Sequence, residues 1–113
     1  RFISIMGPAN TADIFFSARR FNSADALQMG FVSKVHGVNT LDAEVLAIAE
    51  GIAENAPLTI AASKFAIQQA LAEHNQQDHA RAMAMVDACF ASEDYKEGRK
   101  AFAEKRTPIF KGK

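Results

Sequence analysis

Cysteine is nearly absent. Cys89 stands alone among 113 residues, so no intramolecular disulfide can form and nothing in the composition calls for an oxidising compartment. A reducing cytoplasm is the expected setting, with Cys89 as a buried thiol. Neither sign of charge is in excess, with thirteen Lys+Arg against thirteen Asp+Glu. The chain as a whole therefore has no long-range field to recruit nucleic acid or an acidic membrane surface, and any anion site has to be local. No window reaches the roughly 18 consecutive apolar residues that span a bilayer, and the N-terminus lacks a charged stretch followed by an apolar run and a cleavage site. A soluble protein with no membrane partner is expected. The first residue is Arg1 rather than methionine, as expected of a processed product or an excised segment.

The familiar glycine motifs are missing as well. There is no GxGxxG, no P-loop and no GxSxG, and Gly98-Arg99-Lys100 has no second glycine beside it, so a glycine loop cradling a nucleotide phosphate is not expected. His36, His74 and His79 make no zinc pattern, because His74 and His79 are five apart while a helix brings together residues three or four apart. Glu93 and Glu97 are four apart and could imitate a general acid/base pair, since close carboxylates push their proton affinities apart. The preferred reading is an exposed helix start, where acids favour the positive end of the dipole and Lys96 and Lys100 supply counter-charge. No catalytic residue and no metal ligand is assigned.

What is present is a hydrophobic fraction of 49%, enough for a globular protein of one compact domain that buries roughly 65% of its unfolded surface. The pattern is mainly α. Pro8 suits the first turn of a helix over about 8–17. Ser23 offers an N-cap to a short helix through Met29, with Gly30 as a left-handed stop. Phe31-Val32-Ser33-Lys34-Val35 alternates apolar and polar residues and predicts a strand, the only one in the sequence, whose partners would lie outside the chain or in another copy of it. Thr40 is the expected cap of a helix through about Asn55, broken by Ala56-Pro57. Pro57 starts the next, to about Glu73, with Leu58, Ala61, Ala62 and Phe65 on one side and Ile60, Ile67 and Leu71 on another. A further helix opens near Asn75 or Gln76 and runs to Ala91, carrying Met83, Val86 and Phe90 on one stripe with Met85 and Cys89 adjoining. Ser92-Glu93-Asp94 opens the last, which reaches about Arg106 before Thr107-Pro108.

Positive charge gathers at the end of the chain, where Arg99, Lys100, Lys105, Arg106, Lys111 and Lys113 face Glu104 alone. Phe102 and Lys105 are three apart on the last predicted helix, so a ring and an ammonium can share one side and suit a flat base bearing phosphate. From spacing alone the preferred alternative is a core phenylalanine beside solvated lysines. Gly98, in mid-helix, signals close packing against a neighbour, because a glycine there costs about 1 kcal/mol relative to alanine.

Four segments, in order, resemble the C-terminal part of the enoyl-CoA hydratase/isomerase (crotonase) family. Arg19-Arg20-Phe21-Asn22-Ser23-Ala24-Asp25-Ala26-Leu27-Gln28-Met29-Gly30-Phe31-Val32 is similar to G-R-x-F-x-A-x-E-A-L-x-x-G-L-V, with Ala18, Asp25 and Phe31 departing from the usual residues. Ala56-Pro57 with Lys64 resembles A-P-x-A-x-x-x-x-K, and Ser92-Glu93-Asp94-Tyr95-Lys96-Glu97-Gly98 resembles S-E-D-x-x-E-G. Ala101-Phe102-Ala103-Glu104-Lys105-Arg106-Thr107-Pro108-Ile109-Phe110 resembles A-F-x-E-K-R-x-P-x-F.

The resemblance implies a helical C-terminal domain of a crotonase-like ββα-spiral fold, with the spiral core absent. Residues 1–113 would be its oligomerisation and CoA-covering region, with a strand remnant near 31–35. It implies a parent acting on acyl-CoA thioesters, most concretely the hydration of a 2-enoyl-CoA through an oxyanion-stabilised enolate, with isomerase or hydrolase activity and a stand-alone non-catalytic oligomerisation module as alternatives. The family's oxyanion-hole N–H groups and its glutamates precede the matched region, so no catalytic residue is carried over. Phe102 and Lys105 are, by resemblance, the positions that contact the CoA adenine and its phosphate, which reverses the preference from spacing alone. No cofactor is implied, coenzyme A being part of the substrate. The partners implied are the thioester and other copies of the chain, as a trimer or dimer of trimers in the parent, with no nucleic acid.

Overall fold

In the computed structural model, which describes all 113 residues, every regular element is helical. The chain divides into two compact units, Arg1–Glu44 and Val45–Lys113. In the first, helix α1 (Phe2–Ser17) is kinked at Gly7, whose φ of 77° and ψ of 166° lie outside the helical region. Pro8 follows the kink and restarts the helix, as expected of a residue with no N–H to lose. The turn before it, Phe2–Met6, is an extension the sequence pattern did not predict. Helix α2 (Ser23–Gln28) is capped by Asn22 rather than by Ser23. The Asn22 side chain accepts the Asp25 N–H at 2.9 Å while the Asp25 carboxylate accepts the Asn22 N–H at 3.1 Å, a reciprocal box that satisfies two otherwise free donors.

Gly30 ends α2 with a φ of 73°, and the N–H groups of Phe31 and Val32 turn back onto the Ala26 carbonyl at 2.8 and 3.3 Å. The predicted strand over 31–35 does not form. A strand needs a ladder partner; here the first two N–H groups of the segment close the end of α2. Phe31 stacks on Phe2 at 6.0 Å and meets Phe21 edge-on at 5.9 Å. Within this chain Phe31 joins an aromatic cluster with Phe2 and Phe21.

Helix α3 (Leu41–Ala53) carries the chain into the second unit. Thr40 stands in the N-cap position, its carbonyl accepting the Glu44 N–H at 3.0 Å, but its hydroxyl receives no first-turn N–H and donates backwards to the Gly37 carbonyl at 3.2 Å. Helix α4 (Pro57–Ala70) has proline in its first turn as predicted, but ends before Glu73. A single turn of tighter helix, His74–Gln76, follows. Helix α5 (His79–Ala91) starts later than the sequence suggested, because Asp78 is the cap and accepts the Arg81 N–H at 2.9 Å. The Gln69 side chain in turn accepts the Asp78 N–H, tying the end of α4 to the start of α5. Arg81 lies over the Phe65 ring at 4.8 Å.

Helix α6 (Glu93–Glu104) begins at Ser92, whose hydroxyl accepts the Tyr95 N–H at 3.0 Å and donates to the Cys89 carbonyl at 2.6 Å. One serine therefore closes α5 and opens α6. On α4 Leu58, Ala62 and Phe65 of the predicted stripe are half-buried but Ala61 is exposed, and Ile60, Ile67 and the C-cap Leu71 stay exposed; on α5 Ala82, Met85 and Cys89 are half-buried, while Met83, Val86 and Phe90 face solvent. Cys89 is thus less enclosed than expected. No residue of α3, α4 or α5 is fully buried, so apolar faces that ordinarily hold a bundle together lack cover within one copy. No single helix is long and apolar enough to cross a membrane.

Candidate functional site

Residues 105–113 fold back along α6, and the anchors are two acids the sequence reading treated as helix-dipole partners. Asp94, only 4% exposed, accepts the N–H groups of Lys111 and Gly112, both at 2.7 Å. Its own N–H donates to the Lys113 carbonyl at 3.2 Å. One turn further on, Glu97 takes both terminal nitrogens of Arg106, at 2.5 and 2.9 Å, and the Ile109 N–H at 3.0 Å. Arg106 is the main reason the Glu97 carboxyl is lowered to about 2, with the Ile109 N–H adding to it. The carboxylate stays ionised throughout the neutral range. Glu93 is engaged separately, with Lys96 at 2.6 Å. The two glutamates that could have formed an acid/base pair thus sit in different ion pairs, as the helix-start reading requires, although Arg106 rather than Lys100 is the near partner of Glu97.

The returning tail seats the Phe110 ring against Gly98, where an added Cβ would lie 3.6 Å from the ring edge, an ordinary contact. The close approach expected of Gly98 is real, but an alanine would fit. With Phe110 in place, α4, α5 and α6 enclose an apolar cleft of about 670 Å³, lined among others by Leu58, Ala62, Met83, Val86, Phe90, Tyr95 and Phe102. Phe90 and Tyr95 meet edge to face at 5.1 Å across the α5–α6 corner. These are the exposed faces left over from the packing of α4 on α5, gathered into one concave surface. A cleft with apolar walls holds apolar groups by removing them from water and leaves orientation to its few polar neighbours.

Phe102 stands at the rim of this cleft and is 87% exposed. It takes no part in a core built by these 113 residues alone. Lys105 lies just past the last helical residue: α6 ends at Glu104, and Lys105 is its cap in the left-handed conformation, φ 54° and ψ 40°. The expectation that Phe102 and Lys105 share one helical face is corrected accordingly, since a left-handed residue does not continue the helical row. Their backbones are still joined by the Lys105 N–H to the Phe102 carbonyl at 3.2 Å. The Lys105 ammonium forms no ion pair, whereas Arg106 beside it is held by both Glu97 and Glu104. The basic cluster seen in the sequence is mixed on the surface: Lys100 and Lys111 share a shallow depression with Glu93, Asp94 and Glu97.

The sequence profile of the family described as enoyl-CoA hydratase/isomerase matches residues 1–113. A probable mitochondrial enoyl-CoA hydratase of Dictyostelium discoideum is 32% identical over 113 residues, covering 100% of this chain and 41% of the relative. A methylmalonyl-CoA decarboxylase of Escherichia coli is 36% identical over 102 residues, 88% of this chain and 39% of that protein. The crystal structure of an enoyl-CoA hydratase from Bacillus anthracis superposes with a TM-score of 0.80 at 30% identity, over 98% of this chain and 43% of that one. The chain spans about two fifths of the length of these relatives, and it matches the C-terminal region of crotonase-fold proteins. This 113-residue helical chain belongs to the enoyl-CoA hydratase/isomerase family.

Proposed function

We propose that the chain is the CoA-covering and self-associating part of an enzyme acting on acyl-CoA thioesters, with hydration of a 2-enoyl-CoA as the reaction. The supporting observation is the family match over the whole chain, which includes the positions of Phe102 and Lys105. In this reading the exposed Phe102 ring packs against the adenine face and the Lys105 ammonium meets a phosphate of coenzyme A. No further cofactor is called for. The choice of hydration over isomerisation or decarboxylation is made by carboxylates and oxyanion donors outside these residues, which the chain's own geometry does not distinguish.

In the full-length enzyme that carries this chain, Lys105→Ala is expected to raise KM for the CoA substrate more than it lowers kcat. A contact remote from the reacting carbon contributes the same binding to ground state and transition state. The loss should be about 1 to 2 kcal/mol, as for a charge-assisted hydrogen bond at a partly exposed site. Steady-state kinetics at two salt concentrations measure it. Unchanged KM, kcat and salt dependence would place Lys105 on a solvated face and remove the CoA assignment.

Self-association is the second half of the proposal, with a trimer or a dimer of trimers as the assembly. Ile67 on α4 and Leu71 at its C-cap are 63% and 69% exposed, and Met83 and Phe90 on α5 are 61% and 59% exposed. Apolar side chains presented this openly on adjacent helices find cover in another copy more readily than in water. Sedimentation of the purified chain over a concentration series should show oligomers. A strictly monomeric species with a cooperative melt would mean that these faces need no partner.

A further inference from the structure

Lysine is an unexpected residue for the cap that ends α6. The left-handed conformation at φ 54° is the one glycine adopts freely, and any side chain there brings Cβ against the following carbonyl. A strained conformation persists only where its surroundings over-determine it, and here the residues on either side of Lys105 are both tied down. The Arg106 N–H closes on the Ala101 carbonyl at 3.0 Å. Its guanidinium spans Glu97 through two bonds and reaches Glu104 through Nε at 2.6 Å. Glu97 also holds the Ile109 N–H, so the chain is fixed both immediately after Lys105 and four residues on. The same contacts occupy the carboxylates of Glu97 and Glu104, while the Lys105 ammonium has no ion pair.

We infer that Glu97 and Arg106 are positioning residues for Lys105: their bidentate pair holds the strained cap and engages the neighbouring carboxylates, so that the Lys105 ammonium is presented unpaired to an anionic phosphate. Neither residue touches the ligand; both act through Lys105. The inference rests on the reading that Lys105 meets a phosphate of coenzyme A, and the two can fail separately. Arg106 suits the task because a planar fork matches a carboxylate at two points, which a lysine in its place would not reproduce.

The test is a double-mutant cycle in the full-length enzyme, with coenzyme A itself as the probe and calorimetric titration as the readout. Glu97→Gln should weaken binding roughly tenfold in the otherwise wild-type protein and less than about twofold when Lys105→Ala is already present, because residues acting through one contact are not additive. Arg106→Lys, which keeps the charge and loses the fork, should behave like Glu97→Gln and serves in its place if that variant folds poorly. A Glu97→Gln loss of equal size in both backgrounds overturns the inference, since a general effect on the fold does not depend on Lys105. So does undiminished binding by both Glu97→Gln and Arg106→Lys while Lys105→Ala binds weakly, an outcome that leaves the CoA reading standing. If Lys105→Ala alone binds as tightly as wild type, the CoA reading fails and the positioning role falls with it.

Discussion

Purified by itself, the 113-residue chain is expected to hydrate crotonyl-CoA no faster than buffer. Enzymatic acceleration of such reactions comes largely from donors pre-aimed at the developing enolate and from groups that deliver water and proton, and the family resemblance assigns none of these roles to a residue between Arg1 and Lys113. The nearest imitation, Glu93 and Glu97, is divided between Lys96 and Arg106, and an acid held that far below its usual range by a guanidinium is a poor proton donor at neutral pH. The expected deficit relative to an intact hydratase is therefore the whole catalytic factor, about 10⁶-fold or more. Loss of the crotonyl-CoA double-bond absorbance, followed at high protein concentration, measures it. Turnover close to that of an intact enzyme, retained after a second purification, would show that these residues contain a complete active site.

Asp94→Ala is expected to release the C-terminal tail. The carboxylate is almost wholly enclosed and accepts two backbone N–H groups of the tail, and hydrogen bonds to a charged group contribute about 1.5 to 3 kcal/mol each. Losing both should cost about 3 kcal/mol, allowing for water reaching the freed amides. Two readouts separate this from a general loosening. Amide exchange at Lys111 and Gly112 should accelerate strongly, while the Asp25 amide, capped by Asn22 in the other unit, should not change. Asp94→Asn, which keeps an acceptor oxygen, should fall between wild type and alanine. Unaltered protection at Lys111 and Gly112 in the alanine variant would mean that the tail is held by Phe110 and Arg106 without Asp94.

Elements whose ends carry their own chemistry were legible before any coordinates. Pro8 and Pro57 restart helices, Gly30 stops one and Ser92 caps another, because each supplies a backbone angle or a hydrogen-bonding atom that needs only neighbours in sequence. The readings that failed at this level chose between adjacent candidates. Asn22 caps in place of Ser23, and Asp78 in place of Asn75 or Gln76, because the successful cap is the one whose oxygen reaches an N–H three residues on. Thr40 does precede the first residue of α3 and its carbonyl accepts the Glu44 N–H, but its hydroxyl bonds the Gly37 carbonyl behind it and adds no side-chain cap. At 31–35 the alternation was genuine and the inference from it was not: periodicity reports which side chains want cover, while a strand exists only where another strand meets its backbone.

The candidate site divides the same way. Family membership was readable from four ordered segments, because motif matching depends on order along the chain; the placement of coenzyme A at Phe102 and Lys105 is a proposal that rests on that resemblance. Asp94 and Glu97 were visible only as acids in the first turns of a helix, where the dipole alone accounts for them. Their bonds to Lys111, Gly112, Ile109 and Arg106 span nine to eighteen residues, and no local rule reaches across a reversal of the chain. The left-handed cap at Lys105 was likewise unreadable, since lysine has no preference for that conformation and adopts it where the tail on one side and α6 on the other leave no alternative. The amino-acid order thus determined most helix ends, from interactions within a few positions, and the family, from four ordered segments. Which apolar faces remained uncovered, how the tail returned, and which ammonium was left without a partner were decided by tertiary packing, where contacts between distant residues outweigh local preference.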